Sequence, residues 1–404
     1  MNRYEKYKPS GIDWIGEIPS HWKLKKIKYL FQEHSGNGFP EDMQGRDGGD
    51  IPFFKVSDLN KSEINVETSN NYVSYEDVQE KRWNVIPENS ILTAKIGEAL
   101  RKNHRKISLV KCIIDNNCIA LYPICLHPKF AFHLLTLIDF DWFTNPGTVP
   151  SISVEKLKNF KVVYLNVEEQ TIIANFLDDK TAQIDKLIAN KKNLIELLKE
   201  ERTTLINEAV SGKGNNWERK KLKYVAKLRD ELIDYSNFKI AVENIESASG
   251  RLINMEEEKH YDGQLSVFKK GDTIFNKLRP YLHKVYLAEK NGGLFGELLI
   301  IFSIGELIPE FLFFKLFSKN FIDVVDGSTQ GTKMPRANWN DFISQLMISF
   351  PRDKTEQSQI VKYIQTETKR IDNTILKIEK EIELMNEYRT SLISEVVTGK
   401  IKVI

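Results

Sequence analysis

The stretch Trp22-Lys-Leu-Lys-Lys-Ile-Lys-Tyr-Leu30 decides the fold, because Trp217-Glu-Arg-Lys-Lys-Leu-Lys-Tyr-Val225 repeats it 195 residues later. A second segment, Arg202-Thr-Thr-Leu-Ile-Asn-Glu-Ala-Val-Ser-Gly-Lys213, returns as Arg389-Thr-Ser-Leu-Ile-Ser-Glu-Val-Val-Thr-Gly-Lys400 at an offset of 187 residues. Units of stacked repeat arrays are only roughly 20–45 residues long, so this period indicates a duplicated domain. The ends of each half match and the middles differ. We therefore expect one frame around two different inserts.

The composition is that of a chain with more than one domain. It has 404 residues, of which 41% are hydrophobic and 28% charged, enough for two separate cores. The most apolar windows, 298–304 and 311–317, are too short for a membrane span or are broken by Lys315. The charged start has no apolar segment typical of a secretory signal, and the three cysteines form no even disulfide set. These features predict a cytoplasmic protein without a membrane partner.

Basic residues are concentrated in two stretches although the net charge is only +2. Residues 95–111 contain six lysines or arginines against one acid, and residues 269–284 contain five against one. One stretch lies in the middle of each insert. Because the position of the charge matters more than its sum, each half is a candidate for binding a polyanion.

Two charged segments predict long helices. From 168 to 208 and from 356 to 395, apolar residues recur at steps of three and four without Pro or Gly, until Gly212 and Gly399. Each helix would contain roughly 40 residues and extend about 60 Å. Antiparallel pairing into a coiled coil would bury both stripes and place the inserts at opposite ends of a rod. The alternative is that they are core helices of ordinary domains.

The inserts, about 22–165 and 217–352, combine strand-like runs with short helical pieces, which predicts mixed α and β structure. Each insert ends in a turn-rich loop, at 145–157 and at 326–339. Small polar residues with Gly and a base suit close approach to a phosphate backbone, although either loop alone is equally typical of an ordinary turn. We interpret Asp115-Asn-Asn-Cys118 as a turn in preference to a base-reading segment.

Several motifs together resemble the specificity subunit of type I restriction-modification systems. They are the doubled frame, the two helices that start with Glu-Gln, and the segments Tyr7-Lys-Pro-Ser-Gly-Ile-Asp-Trp-Ile-Gly-Glu-Ile-Pro-Ser-His-Trp22, Lys55-Val-Ser-Asp-Leu59 and Lys277-Leu-Arg-Pro-Tyr-Leu282. The resemblance covers essentially the whole chain. It implies two target-recognition domains, each of which reads half of an asymmetric bipartite DNA site. It also implies two long antiparallel helices that separate these domains and dock methylation subunits. The end of the chain would continue naturally into its beginning, as in a circle that has been cut.

The resulting fold class is α+β, with two mixed α/β target-recognition domains, a coiled-coil spacer and a pseudo-twofold internal repeat. We expect the first target-recognition domain with the N-terminal segment at 1–167, and the first helix at 168–213. The second domain would occupy 214–353, and the second helix with a C-terminal tail 354–404. The residues expected to dock other subunits share the apolar stripes: Ile184, Leu187, Leu198, Leu205, Ile371, Ile378, Met385 and Leu392.

Candidate DNA contacts combine the basic stretches with the polar turns. Lys and Arg neutralise phosphates, and a few side chains reach base edges, with Arg to guanine and Asn or Gln to adenine. The candidates in the first domain are Lys55, Ser57, Lys95, Arg101, Lys102, His104, Arg105, Lys106, Thr148 and Ser151. Those in the second are Lys277, Arg279, Tyr281, His283, Lys284, Ser328, Thr329, Gln330, Lys333 and Arg336. For Arg279 we also consider a structural role beside Pro280.

We expect no catalysis by this chain. It lacks the Asn/Asp-Pro-Pro-aromatic motif of amino-methylating enzymes and a phosphate-binding Gly-x-x-x-x-Gly-Lys-Ser/Thr loop. The spacing of Cys112, Cys118, Cys125, His127 and His133 does not fit a structural zinc site. The resemblance instead implies that two methylation subunits, with restriction subunits in the same complex, supply the S-adenosylmethionine, ATP and Mg²⁺ chemistry on double-stranded DNA. The alternative is a structural scaffold whose coiled coil is a spacer and whose inserts bind proteins.

Overall fold

A computed structural model describes residues 2–60, 64–145, 147, 149–212, 216–255, 263–329 and 335–403. The chain divides into two compact units, Met1–Ala189 with Ile382–Ile404, and Asn190–Glu381. Each unit contains one half of each of two long helices together with its own β-structure. Among the described residues, no helix is long and apolar enough to cross a membrane.

The first unit is built around two mixed sheets, with strand orders β4-β11-β8-β9-β6 and β10-β5-β7. The larger sheet is antiparallel except for the parallel pair β6 and β9. Its strands are β1 Tyr7–Pro9, β2 Glu17–Pro19, β3 Lys23–Lys26, β4 Phe31–Ser35, β5 Ile51–Phe54, β6 Asn65–Val66, β7 Tyr72–Val73, β8 Ile91–Ala94, β9 Lys106–Ser108, β10 Ile113–Ile114, β11 Cys118–Pro123, β12 Thr144–Asn145, β13 Ser151–Ile152 and β14 Lys161–Tyr164. Its helices are α1 Val56–Leu59, α2 Tyr75–Glu80, α3 Glu98–Arg101, α4 Pro128–Thr136, α5 Val154–Asn159 and the start of α6 Val167–Ala209.

The second unit has the strand orders β16-β23-β20-β21 and β17-β19-β22-β18. Its strands are β15 Glu218–Lys221, β16 Ala226–Leu228, β17 Leu232–Ile233, β18 Lys239–Ala241, β19 Leu265–Phe268, β20 Thr273–Asn276, β21 Val285–Leu287, β22 Gly292–Phe295, β23 Leu298–Ser303 and β24 Met347–Phe350. Its helices are α7 Pro309–Phe317, α8 Lys319–Asp326 and the start of α9 Lys354–Val397.

The main sheets of the two units share the order and register of four strands. Strand β11 pairs with β8 so that Cys118 faces Ala94, and β23 pairs with β20 so that Leu298 faces Asn276. Strands β4 and β16 each follow the repeated Trp motif. The last residue of β11 to pair with β4 lies five positions after Cys118, and the last residue of β23 to pair with β16 lies five positions after Leu298. Parallel pairs follow the same plan, since β10 pairs with β5 and β22 with β18. The sequence duplication is therefore a duplication of four main-sheet strands and one parallel pair, whereas β6 and β7 of the first unit and β17 and β19 of the second lie at different places.

Both long helices start and end in the same way. The Asn166 side chain accepts from the backbone N–H of Glu169 at 2.7 Å, and the Asp353 side chain accepts from that of Thr355 at 2.8 Å. The glycines predicted as stops have left-handed backbones, with φ of +70° at Gly212 and +78° at Gly399. Helices of 43 and 44 residues result.

Within each unit the two helices pack against each other through the predicted apolar stripes. Ile184 and Leu392 belong to the core of the first unit, and Leu198, Ile371 and Ile378 are buried in the second. In the second unit Lys191 pairs with Glu381 and Arg202 with Asp372. Residue numbers rise along one helix as they fall along the other, so the two helices run in opposite directions. This antiparallel pairing agrees with the expected coiled coil.

The burial corrects the role expected of most stripe residues. Ile184, Leu198, Ile371, Ile378 and Leu392 are at most 8% exposed. Leu205 and Met385 are partly buried against the cores. Of the side chains expected to dock other subunits, Leu187 alone is exposed, at 50%. The others stabilise the helix pair inside the chain, because an apolar stripe buries itself against the nearest matching stripe.

The repeated Trp motif docks on the start of each long helix. The Trp22 indole N–H donates to the Glu169 carboxylate at 3.0 Å, and the Trp217 indole N–H donates to Glu356 at 3.0 Å. The glycine that ends the other long helix lies against the same ring, since a Cβ on Gly399 would be 3.0 Å from Trp22.

The two ends of the chain meet in the first unit. Asn2 and Lys402 form an antiparallel bridge, in which the Lys402 N–H donates to the Asn2 carbonyl at 2.8 Å. The Tyr7 hydroxyl donates to the Lys400 carbonyl at 3.3 Å. The expectation that the end continues into the beginning agrees with this arrangement.

Candidate nucleic-acid interface

Each unit contains two short segments, far apart in sequence, that pair through matched backbone hydrogen bonds. In the first unit, the Gly97 N–H donates to the Pro150 carbonyl at 2.8 Å and the Ile152 N–H to the Lys95 carbonyl at 2.9 Å. In the second, the Arg279 N–H donates to the Pro335 carbonyl at 2.8 Å and the Ala337 N–H to the Lys277 carbonyl at 2.9 Å. We call residues 95–97 with 150–152, and 277–279 with 335–337, the paired segments.

The paired segments bring predicted DNA contacts together in each unit. Lys95 lies beside Ser151, and Lys277 lies beside Arg336, at corresponding positions of the repeat. In the second unit they border an open cleft of about 680 Å³, which Asn338 and Asn340 also line. Lysine, arginine and amide side chains in one cleft can hydrogen-bond to phosphates and to base edges.

Glu297 lies between the two basic side chains of the second cleft. Its carboxylate is 2.7 Å from the Arg336 guanidinium and 3.9 Å from the Lys277 ammonium. About half of the side chain is exposed for both Glu297 and Arg336. No sequence motif marks Glu297, because only strand pairing brings it close to residues 20 and 39 positions away in the chain.

Other predicted contacts in the first unit lie on accessible surface. Arg101 and Lys102 are exposed on and just after α3, and Arg101 pairs with Glu98 at 3.4 Å. His104 is exposed too, and partial burial of its ring together with Lys106 and Lys102 lowers its pKa. A neutral imidazole can donate and accept hydrogen bonds at neutral pH.

A second accessible group surrounds the start of α1. Ser57 is exposed, and the Lys55 ammonium lies 4.1 Å above the Phe39 ring. Both belong to the segment that follows β5, the central strand of the smaller sheet.

Arg105 and Lys106 are not accessible, which corrects their predicted role. They are 4% and 5% exposed. The Arg105 guanidinium donates to the Thr93 hydroxyl at 2.9 Å and to the Asn103 side chain at 2.6 Å, and it stacks 3.6 Å from the Phe140 ring centre. Burial lowers its pKa. Arg105 is a structural residue of the first unit, because its donors are directed inward.

Four predicted contacts in the second unit also bond within the fold. His283 donates to the Phe317 carbonyl at 2.6 Å, and burial lowers its pKa. The Lys284 ammonium donates to the Val242 carbonyl at 2.8 Å. Ser328 and Thr329 donate to carbonyls of the last turn of α8. These groups hold turns in place. Ser328 also lines the cleft, but its hydroxyl donates to the Val325 carbonyl.

Arg279 is the last residue of one paired segment, and Tyr281 follows it by two positions. Arg279 has a left-handed backbone, with φ of +52°, immediately before Pro280. The Tyr281 ring is 54% exposed. Thr148, Gln330 and Lys333 lie outside the described residues. Among the described residues, no cluster of three metal-ligating side chains is present.

Comparison with known proteins finds a family that part of the chain resembles. Residues 19–197 match the family model described as Type I restriction modification DNA specificity domain. This part of the chain is similar to that family's domain. The resemblance recognised in the sequence is thereby confirmed, and the paired segments of the first unit lie within the matched residues.

Relatives extend the likeness over the whole chain. The Type I restriction enzyme EcoDI specificity subunit of Escherichia coli is 22% identical over 96% of this chain and 90% of its own length. A chain in a structure of type I R-M system assembly and conformational transition has a TM-score of 0.71 at 11% identity, covering 95% of this chain and 99% of that one. The HsdS subunit from Thermoanaerobacter tengcongensis has a TM-score of 0.58 at 12% identity, covering 95% and 98%.

Proposed function

We propose that this chain is the DNA-recognition subunit of a type I restriction-modification complex. Each unit would read one half of a bipartite, asymmetric DNA site. The observation that carries the proposal is that both units have the same paired segments in the same register with different side chains. A common frame with different contacts suits two unlike half-sites, since bases are read by side chains in the groove while the frame fixes their position.

The charge in the cleft supports a polyanionic partner. Lys277 and Arg336 can exchange their contact with Glu297 for phosphates or base edges, because a half-exposed ion pair contributes only about 0–1 kcal/mol. In the first unit Lys95, Arg101, Lys102 and His104 form the accessible counterpart. Such contacts release counterions and make affinity sensitive to salt.

The long helices would join the two readers and dock the other subunits. A continuous helix has a fixed rise of 1.5 Å per residue, so it can hold the spacing between half-sites constant. Docking would use side chains that the helix pair leaves exposed, such as Leu187, Leu197, Leu384 and Tyr388. Two methylation subunits and the restriction subunits would supply S-adenosylmethionine, ATP and Mg²⁺ chemistry. This chain would be non-catalytic and act in the cytoplasm.

Selection from a pool of random duplexes tests the proposal. The chain would be assembled with the methylation subunits encoded beside it, and retained duplexes would be sequenced at several salt concentrations. We expect two unlike conserved blocks separated by a constant unconserved gap, and an affinity that falls linearly on a log–log plot against salt. Retention without any enriched motif would contradict sequence reading and would favour the alternative of a protein-binding scaffold.

A further inference from the structure

The turn before the last strand of the main sheet presents one side chain at the same place in both units. That strand is β11 in the first unit and β23 in the second, and its first residue faces the last residue of β8 or of β20. The residue just before the strand is Asn117 in the first unit and Glu297 in the second. Both are exposed, although the turn has three residues in the first unit and two in the second.

This turn residue lies next to the paired segments in each unit. The Lys95 N–H donates to the Asn117 carbonyl at 2.8 Å, and the Glu297 carboxylate contacts Lys277 and Arg336. Each unit therefore displays three neighbouring positions: Lys95, Asn117 and Ser151 in the first, and their counterparts Lys277, Glu297 and Arg336 in the second. The lysine is common to both units and the other two positions differ.

We propose that Asn117 and Glu297 are specificity-determining residues that read one base pair in each half-site. This inference rests on the proposed function and names the site within it. The common lysine suits the phosphate backbone, which is alike in both halves. The differing side chains suit bases, because an amide gives paired donor and acceptor groups to adenine whereas a carboxylate accepts from the amino group of cytosine.

The charge of Glu297 separates base reading from backbone binding. A carboxylate repels phosphates, so it opposes non-specific binding at a position where the neighbouring Lys277 and Arg336 would favour it. A cytosine amino group would satisfy the carboxylate in the correct sequence. A base without that donor would leave it desolvated and unpaired. Glu297 would thus favour cytosine through a hydrogen bond and disfavour other bases through the cost of an unpaired carboxylate.

The test uses the complete complex with Glu297→Gln, which keeps the shape and removes the charge. Asn117→Ala is the matching change in the other unit, and Glu289→Gln is the control, since Glu289 is exposed on another turn of the second unit. The parent is first mapped for its methylation motif, and each variant is then titrated with the parent duplex and with single-base variants of it. A parent without any motif would overturn the proposed function itself.

Given a parent motif, we expect Glu297→Gln to lose roughly 5- to 150-fold discrimination at one base pair of one half-site. We expect Asn117→Ala to relax one position of the other half, and Glu289→Gln to change neither. Unchanged discrimination by Glu297→Gln, with melting temperature preserved, would overturn the inference. So would equal strengthening of binding to every sequence with a salt slope steeper by about one, which would identify Glu297 as a charge near the backbone only.

Discussion

At the scale of single residues, each unit has a glutamate at the start of a long helix that accepts a hydrogen bond from the repeated Trp. We call this glutamate the anchor, and the two anchors differ in burial. Glu169 is 4% exposed and accepts hydrogen bonds from Tyr4 at 2.7 Å and from Trp22 at 3.0 Å, with His21 also at 3.0 Å. Its counterpart Glu356 is exposed and accepts from Trp217. Burial of the phenol raises the pKa of Tyr4, and its hydrogen bond to the Glu169 carboxylate raises it further. The first anchor thus also fixes the beginning of the chain.

We predict that Glu169→Ala lowers the free energy of unfolding of the first unit by roughly 2–4 kcal/mol, because buried donors lose a charged acceptor. Glu356→Ala is the matched control and should cost about 1 kcal/mol or less, since its partner can turn to water. Urea unfolding, monitored by hydrogen exchange in each unit, measures the loss of stability in both variants. Equal losses would show that burial of the carboxylate does not matter.

A second residue-scale prediction concerns Lys315, whose ammonium donates to the Val210 carbonyl at 2.6 Å after the end of α6. Burial lowers its pKa to about 8. An unfolded lysine titrates near 10.4, so between pH 8 and about 10 the unfolded chain binds more protons. Raising the pH through this window should therefore stabilise the parent relative to Lys315→Met, by up to roughly 1–3 kcal/mol. Denaturant titrations at pH 7 and pH 10 compare the two proteins, and a constant difference would refute the shift.

At the scale of elements, the long helices depend on how they end. Gly399 has a left-handed backbone, and a Cβ there would be 2.4 Å from Pro19 and 3.0 Å from Trp22. Gly305 has a similar φ of +64° with nothing within 4 Å of a Cβ. The two glycines therefore separate backbone strain from close approach.

We predict that Gly399→Ala destabilises the first unit by roughly 2–4 kcal/mol, because strain and overpacking add. Gly305→Ala in the second unit should cost only about 1 kcal/mol. Thermal unfolding by calorimetry gives the comparison. Similar losses at both sites would mean that contact of the helix end with the Trp22 ring contributes little.

The interior of the helix pair gives a related prediction. Ile371 is fully buried, whereas Leu376 on the same helix is 57% exposed. Ile371→Ala should lower the free energy of unfolding by about 2–5 kcal/mol, and Leu376→Ala by about 0.5 kcal/mol or less. Both variants are measured by urea unfolding of the complete chain. A cost at Leu376 as large as at Ile371 would be incompatible with the packing described here.

The sequence predicted these elements well because their signals are local or repeated. The apolar steps and terminal glycines mark α6 and α9, and duplicated motifs mark the frame. It did not predict that Arg105 bonds inward, since a basic run looks the same whether a sheet covers it or not. Nor did it find Glu297, whose neighbours are set by strand pairing.

At the scale of the whole molecule, the repeated frame predicts that the two units read their half-sites independently. Both units have the same main-sheet register and the same paired segments, while the side chains on them differ. Replacing residues 217–352 by the equivalent insert of a relative should therefore change one half of the methylation motif. The other half and the gap should stay as they are. Loss of both halves in a chimaera that still folds and assembles would show that the units do not read independently.

The most direct test of the central claim is a map of methylated bases in the genome of a host that carries this gene with its partner subunits. The same host with the gene deleted is the control. If each unit reads its own half-site, methylation that depends on this chain will occur in one motif with two unlike halves and a constant gap. A map that is identical with and without the gene, or a single contiguous motif, would contradict the account.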